Sequence, residues 1–331
     1  SDQSIKSLKH YSPYNDEQTR IKNLKNLGFE IFVRNTNHDA KYLINNLQPD
    51  ILCIGEDQKY LQDTFSKFDN LNLEIIKFVK SNLYKSSRLR TILEDQSAGI
   101  YLIDKPKGVN SFRAVSVLRK VLNTKRVGFS GTLDPLASGL LIVANGKATR
   151  LLDWFHDLPK IYQADVLFGQ DSDTYDMEGK TVVNKQAKAF DKKELEETLN
   201  NFLGKQNQVA PIYSAKKVAG QKLYKLARAG KPVKAPSKEI EIHELKINKF
   251  KYPNLNLLVS ASAGTYIRSL AHDLGQAMET GAMLSGLKRI AIGDFSVKNA
   301  LALEEVDKTS LAKNKLAVQE VIDIINEHLA Q

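Results

Sequence analysis

The sequence predicts an α+β protein built around a largely antiparallel sheet, with a smaller α/β unit ahead of it. Beyond residue 98, long strand-like runs are interspersed with amphipathic helices in no strict alternation. Over residues 1–95, helices and short apolar strands alternate, which is the pattern of a parallel sheet. The charge changes at the same place. Residues 1–97 hold 14 Lys/Arg against 13 Asp/Glu, and the remainder holds 34 against 25.

In the first unit, "IKNLKNLGF" and "AKYLINNL" read as helices, and "EIFVR", "PDILCIG" and "LEIIKFV" as strands. Cys53 is the only cysteine and sits in the apolar run "DILCIGED". It reads as a small core residue, not a nucleophile, and no intrachain disulfide can form, which fits a reducing cytoplasm. The polar "EDQSAG" at 94–99 marks a boundary. In the second unit "IYLI" is a strand and "DKPKG" a turn. Asn110 or Ser111 caps a helix whose Phe112, Val115, Leu118 and Leu122 share one face. Strands are expected in "YQADVLFG", "EIEIHELKINKFKY" and "NLNLLVSAS". Helices are expected in "KKELEETLNNFLG", "TYIRSLAHDLGQAM" and, at 315–329, "KLAVQEVIDIINEHL". A hydrophobic content of 42% is ample for a core. No run suffices to cross a bilayer, and the N-terminus lacks a signal-peptide-like apolar stretch.

The chemistry centres on "GFSGTLDPLASGLL", residues 128–141. Glycines permit tight backbone geometry there, Pro135 restricts the chain after Asp134, and one carboxylate stands among small and apolar neighbours. It is either a turn residue or the centre of a reaction. Three companions favour the second. "GTYIR" places Tyr266 and Arg268 at a helix entry, "KIYQADV" places Tyr162 on a strand, and "LIDKPKG" places Lys105 in a turn beside an apolar strand. An aspartate with an arginine partner and a tyrosine platform suits chemistry on a planar base. Arg268 would keep Asp134 charged and oriented, since an opposite charge nearby favours the carboxylate. The basic excess of the second unit points to a polyanion. It is densest from Gly204 to Lys234, where Lys205, Lys216, Lys217, Lys222, Lys225, Arg228, Lys231 and Lys234 occur with no acidic residue and with Tyr213 and Tyr224 interleaved. Such a segment grips RNA through phosphate contacts and makes affinity salt-dependent.

Residues from about 98 to 300 resemble the bacterial TruB family, the tRNA pseudouridine-55 synthases. Six collinear blocks carry the resemblance: "LIDKPKGVNS", "VGFSGTLDPLASGLLIVANGKATR", "KIYQADVLFGQDSDTYDMEGK", "PIYSAKKVAGQKLYKLARAG", "SAGTYIRSLAHDLG" and "LSGLKRIAIGDFSV". The resemblance implies a pseudouridine synthase fold and isomerisation of a uridine in the T-loop of tRNA. Asp134 matches the family's catalytic aspartate, Tyr162 its base-stacking tyrosine and Arg268 the aspartate's partner. Tyr266 matches a tyrosine packing nearby, Lys105 a lysine supporting the catalytic loop, and Leu287 an apolar wall of the pocket. Asp173 matches an acidic residue at the RNA-facing side, and residues 204–237 a flexible thumb loop that closes on the T-arm. The leaving uracil stays in the pocket, so no cofactor or metal is required. A cytoplasmic monomer is expected. The version "DPLASGLL" resembles the stand-alone bacterial branch more than the dyskerin-type, guide-RNA enzymes.

Two departures stand out. Phe129 replaces the histidine of the usual "GHTG", so it can wedge and stack but not hydrogen-bond. The stretch 301–331 reads as a helical tail without a PUA-like RNA-binding extension. The first unit resembles the later half of a cytidylyltransferase-like, partly Rossmann-like domain, with Ser86, Ser87 and Arg88 of "SSRLR" at a phosphate-contacting motif and the histidine motif absent. An accessory role is expected for it. The rival readings are an RNA-binding folding helper without turnover and a second, nucleotide-binding activity in residues 1–95.

Overall fold

The computed structural model describes residues 51–55, 74–78, 91–214, 216–218, 220–229 and 235–329. The chain divides into two units between Gln96 and Ser97. In the first, β1 (Ile51–Gly55) and β2 (Glu74–Phe78) pair in parallel, with Ile51 opposite Glu74 and Gly55 opposite Phe78. These are the strands expected in "PDILCIG" and "LEIIKFV". The expected helices "IKNLKNLGF" and "AKYLINNL", the strand "EIFVR", the side chain of Cys53 and the residues Ser86, Ser87 and Arg88 lie outside the described residues.

The second unit runs β3 (Gly99–Lys105), α1 (Ser111–Val121), β4 (Val127–Ser130), β5 (Ala137–Asn145), α2 (Leu152–Asp157) and β6 (Lys160–Phe168). A hairpin of β7 (Gln170–Ser172) and β8 (Thr181–Val183) leads to α3 (Lys192–Asn200) and β9 (Gly204–Val209). A second hairpin, β10 (Lys217–Val218) and β11 (Gln221–Lys222), is followed by α4 (Leu223–Arg228). Then come β12 (Ser237–Lys251), β13 (Asn254–Ala261), α5 (Ile267–Ala277), β14 (Ala282–Ile292), β15 (Phe295–Ser296), β16 (Leu301–Ala302), α6 (Lys308–Lys313) and α7 (Val318–Leu329). The main sheet is ordered β16-β3-β5-β14-β6-β13-β12-β9, with β4 added beside β5 and β15 beside β14. Only β14/β5 and β16/β3 are parallel. The sheet is therefore largely antiparallel, as expected.

Side-chain periodicity explains the packing. Along β13, Leu255, Leu257, Val259 and Ala261 alternate onto one face, against Ala164, Val166 and Phe168 of β6. Ile267, Leu270 and Leu274 recur at helical spacing along α5 and close the same core. A second core joins Tyr101 and Ile103 of β3, Leu141 and Val143 of β5, and Ala114, Val115 and Leu118 of α1. Asn110 caps α1 by accepting from the Arg113 N–H at 3.0 Å. Phe112 does not share the buried face. It is 68% exposed, because the inward positions of the first turn are taken by Ser111, Ala114 and Val115, and its ring meets Phe129 edge-on at 5.6 Å.

The C-terminal stretch is not a tail. Leu301 and Ala302 pair with Ile103 and Asp104, Leu303 and Leu311 enter the second core, and the Leu316 N–H donates to the Ile100 carbonyl at 2.9 Å. A period of apolar residues on a terminal helix says that a face is buried but not against what. Among the described residues no helix is long and apolar enough to cross a membrane.

One close approach sets the layout of the cleft. Gly139 of β5 lies opposite Arg289 of β14 with φ of 101°, and a Cβ there would sit 2.2 Å from the Arg289 carbonyl oxygen. Gly139→Ala is therefore expected to lower stability by about 2–5 kcal/mol, combining left-handed strain with overpacking against backbone. Urea unfolding of the two proteins checks this.

Candidate active site

The loop between β4 and β5 carries Asp134, and its backbone is tied down on several sides. The Ser111 hydroxyl donates to the Leu133 carbonyl and accepts from the Leu133 N–H, both at 3.0 Å. The Gly108 N–H donates to the Pro135 carbonyl at 2.7 Å, and the Ala137 N–H to the Asp134 carbonyl at 3.0 Å. Lys105 ends β3 with 0% exposure and donates to the carbonyls of Pro106, Val109 and Ala137 at 2.9, 2.5 and 2.5 Å. Burial pushes its ammonium down to about 8, with the charge of Asp134 opposing the shift. Lys105 thus spends its three N–H donors on backbone. It holds the loop that carries Asp134.

Arg289 of β14 grips the same loop from below. Buried, it donates through Nε to the Leu140 carbonyl at 2.8 Å and through Nη2 to the Gly131 carbonyl at 2.9 Å. Gly131 has φ of 67°, and a Cβ there would lie 3.0 Å from the guanidinium. The arginine lies opposite Tyr162 in the β14/β6 register. Burial lowers the arginine's pKa and the tyrosine partly offsets this.

Arg268 opens α5 and connects the loop to three other segments. Its Nη2 lies 3.0 Å from Asp134 Oδ2, and its Nη1 3.4 Å from Asp176 Oδ2. It also donates to the carbonyls of Thr174 and Tyr213, each at 3.1 Å. The two carboxylates differ in setting: the Asp134 side chain is 45% exposed and that of Asp176 is 2% exposed. Asp176 accepts from the Thr174 hydroxyl at 2.6 Å and the Glu178 N–H at 3.0 Å. The β7–β8 turn that carries it is held by Tyr175, which has φ of 62° and stacks on His272 of α5 with centroids 3.9 Å apart. Glu178, close to both aspartates, has its pKa raised by burial first and then by their charge.

Asp134, Tyr162, Tyr266, Arg268 and Leu287 line one cavity of about 250 Å³. That is small beside the roughly 300–1,000 Å³ typical of whole-ligand pockets, and suits one planar base. Tyr162 comes from β6, Leu287 from the neighbouring β14, and Tyr266 from the N-terminal cap of α5. Gln208 of β9 fixes the Tyr266 backbone by accepting from its N–H at 2.8 Å and donating to its carbonyl at 3.0 Å. A second, more open cavity of about 680 Å³ adjoins and shares Asp134, Ser214 and Arg268. Asp173 lines that one, exposed, and accepts from the Lys180 N–H at 2.8 Å.

Other expected residues fall elsewhere. Phe129 on β4 is half-buried and lines neither cavity. Within the lysine-rich stretch, Gly204–Val209 forms edge strand β9 instead of loop, pairing with β12. Lys216 is half-buried and Lys225 exposed. Lys217 lies on β10, Lys222 on β11 and Arg228 at the end of α4, their side chains outside the described residues.

Sequence reasoning missed Asp176, Arg289, Ser214 and Lys160. Lys160 is a buried lining residue that donates to the carbonyls of His156 and, at 2.5 Å, Leu158. Its pKa falls to about 8 through burial and then the Arg289 charge. The available signal was positional. Lys160 precedes Tyr162 by two residues on a strand, and so shares its face. Arg289 likewise is a buried charge on a strand whose other charged residue, Lys288, is half-exposed.

Two family models match the chain: the TruB family pseudouridylate synthase N-terminal domain over residues 119–267 and the tRNA pseudouridylate synthase B C-terminal domain over 268–328. The chain is 38% identical to the tRNA pseudouridine synthase B of Clostridium kluyveri over 224 residues, which is 68% of this chain and 77% of that protein. It is 42% identical to that of Fusobacterium nucleatum over 200 residues, 60% of this chain and 69% of that one. Among solved structures, a chain of the Cbf5-Nop10-Gar1 complex superposes with a TM-score of 0.50 at 25% identity, covering 66% of this chain and 55% of that one. The fold is the pseudouridine synthase fold, and with a relative of this identity covered over more than two thirds of its length, the chain belongs to the TruB family of tRNA pseudouridine synthases.

Proposed function

We propose that this enzyme converts the T-loop uridine at position 55 of tRNA to pseudouridine, with Asp134 as the catalytic carboxylate. The observation that carries the reading is the contact of Asp134 with Arg268 in one base-sized cavity walled by Tyr162 and Leu287. Isomerisation breaks the C1′–N1 bond, turns the uracil over and joins C5 to C1′, after which the C5 proton must leave. The carboxylate acts at the ribose, as nucleophile at C1′ or as base toward elimination. Both roles require a fixed carboxylate, and the tied loop together with the Arg268 contact supports that. Tyr162 stacks on the extruded base, offsetting part of the few kcal/mol of unstacking, and stands over the ring for proton removal. The T-arm is held by the lysines between residues 204 and 237, and the enzyme acts as a monomer in a reaction that calls for no cofactor, since the leaving uracil stays in the pocket.

Asp134→Asn is expected to lower pseudouridine formation on an unmodified tRNA transcript by about 10³-fold or more while tRNA affinity stays within about threefold. Position-resolved mapping of the product tests both the residue and the site; undiminished product from the variant would sink the assignment. Asp176→Ala removes one partner of a buried pair, so a loss of about 3–5 kcal/mol in stability together with a lower kcat is expected. Thermal unfolding beside turnover reads it. Replacing Lys216, Lys217, Lys222 and Lys225 together by Gln should reduce the slope of log affinity against log salt by about 3, at nearly one phosphate contact each. An unchanged slope in filter binding would overturn their assignment to RNA.

A further inference from the structure

Ser214 is 4% exposed, and its hydroxyl has no hydrogen-bond partner among the described residues. A buried hydroxyl without a partner costs stability, so a native protein that keeps one in a cleft keeps it for something that arrives there. Ser214 lines both cavities, and only Asp134 and Arg268 share that position with it. Its place is set by the same guanidinium that holds Asp134, because the preceding carbonyl, of Tyr213, accepts from Arg268 Nη2. Ser214 also stands at the root of the lysine-rich stretch, two residues ahead of Lys216.

The junction of the two cavities is where the ribose of the target must lie. With the base between Tyr162 and Leu287 in the smaller cavity and C1′ against Asp134, the sugar falls where Asp134, Arg268 and Ser214 meet, and the RNA backbone leaves through the wider cavity. Within an RNA chain the 3′ and 5′ oxygens are esterified. The 2′-hydroxyl is then the one ribose group able both to donate and to accept, as a serine hydroxyl does. We propose that Ser214 reads the target ribose by a hydrogen bond with its 2′-hydroxyl, making it a specificity-determining residue for RNA. This rests on the reading of the cleft as the uridine site.

The test uses Ser214→Ala in the full chain. Removing an unpartnered buried hydroxyl should leave Tm unchanged or higher, while kcat/KM on tRNA transcript falls about tenfold, the worth of one hydrogen bond to substrate. Affinity is then measured for two RNA stem-loops that differ only in carrying uridine or 2′-deoxyuridine at the target. Wild type should bind the uridine form several-fold more tightly, and Ser214→Ala should bind the two alike. A variant that discriminates as wild type does would overturn the proposal, as would a fall in Tm that accompanies the loss of activity. Should wild type bind and discriminate but form no pseudouridine, the turnover reading fails while the ribose contact stands.

Discussion

The cleft is organised around the buried charge of Arg268. A guanidinium removed from water must be met by charges and carbonyls, and leaving one such group bare is more costly than most single contacts are worth. Here the acceptors come from three stretches of chain: Asp134 from the β4–β5 loop, Asp176 and Thr174 from the β7–β8 turn, and Tyr213 from the segment after β9. None of these stretches is adjacent to α5 in sequence. Satisfying one cation therefore pulls together Asp134, the neighbouring hairpin and the root of the lysine-rich segment.

Lys105 and Arg289 work in a related way, with backbone carbonyls in place of carboxylates. Lys105 holds the loop at Ala137 and Arg289 holds it at Gly131, so both ends of the segment bearing Asp134 are fixed from the interior. Lys105 gives all three of its donors to backbone, and Arg289 is held by two backbone carbonyls. What they supply is position. A carboxylate that is to act on a substrate gains most from being held in one place before that substrate binds. Asp134 is left half-exposed on this rigid frame, and its buried counterpart Asp176 takes the structural share of Arg268.

The sheet makes this frame possible through one of the two parallel pairings in its largely antiparallel pattern. The parallel pairing of β14 with β5 sets Leu287 opposite Ala137 and Arg289 opposite Gly139, directly after the loop. The antiparallel pairing of β14 with β6 sets the same arginine opposite Tyr162. One strand thereby places Leu287, the loop anchor Arg289 and, across from it, Tyr162 in register. Gly139 is needed because the backbone of Arg289 occupies the space a Cβ would fill.

By itself the sequence determined the elements, the largely antiparallel sheet and the family. The alternating β13, the amphipathic α5 and α1, and the collinear blocks around "GTLDPLASG" are local patterns, and local patterns are legible because side-chain periodicity follows backbone geometry directly. Asp134, Tyr162, Tyr266, Arg268 and Leu287 could be named in advance for the same reason, each standing in a distinctive block. Only the tertiary structure decided which polar groups satisfy which. In "DSDTYDMEGK" the acid that meets Arg268 is Asp176 and not Asp173, and in "GLKRI" the arginine matters as much as the leucine. Phe112 turned outward, the Lys105 ammonium found its carbonyls at Val109 and Ala137, and Leu301 and Ala302 joined the sheet. These outcomes depend on partners more than thirty residues away in sequence or on competition for a finite buried space, and neither is written in the spacing of a single segment.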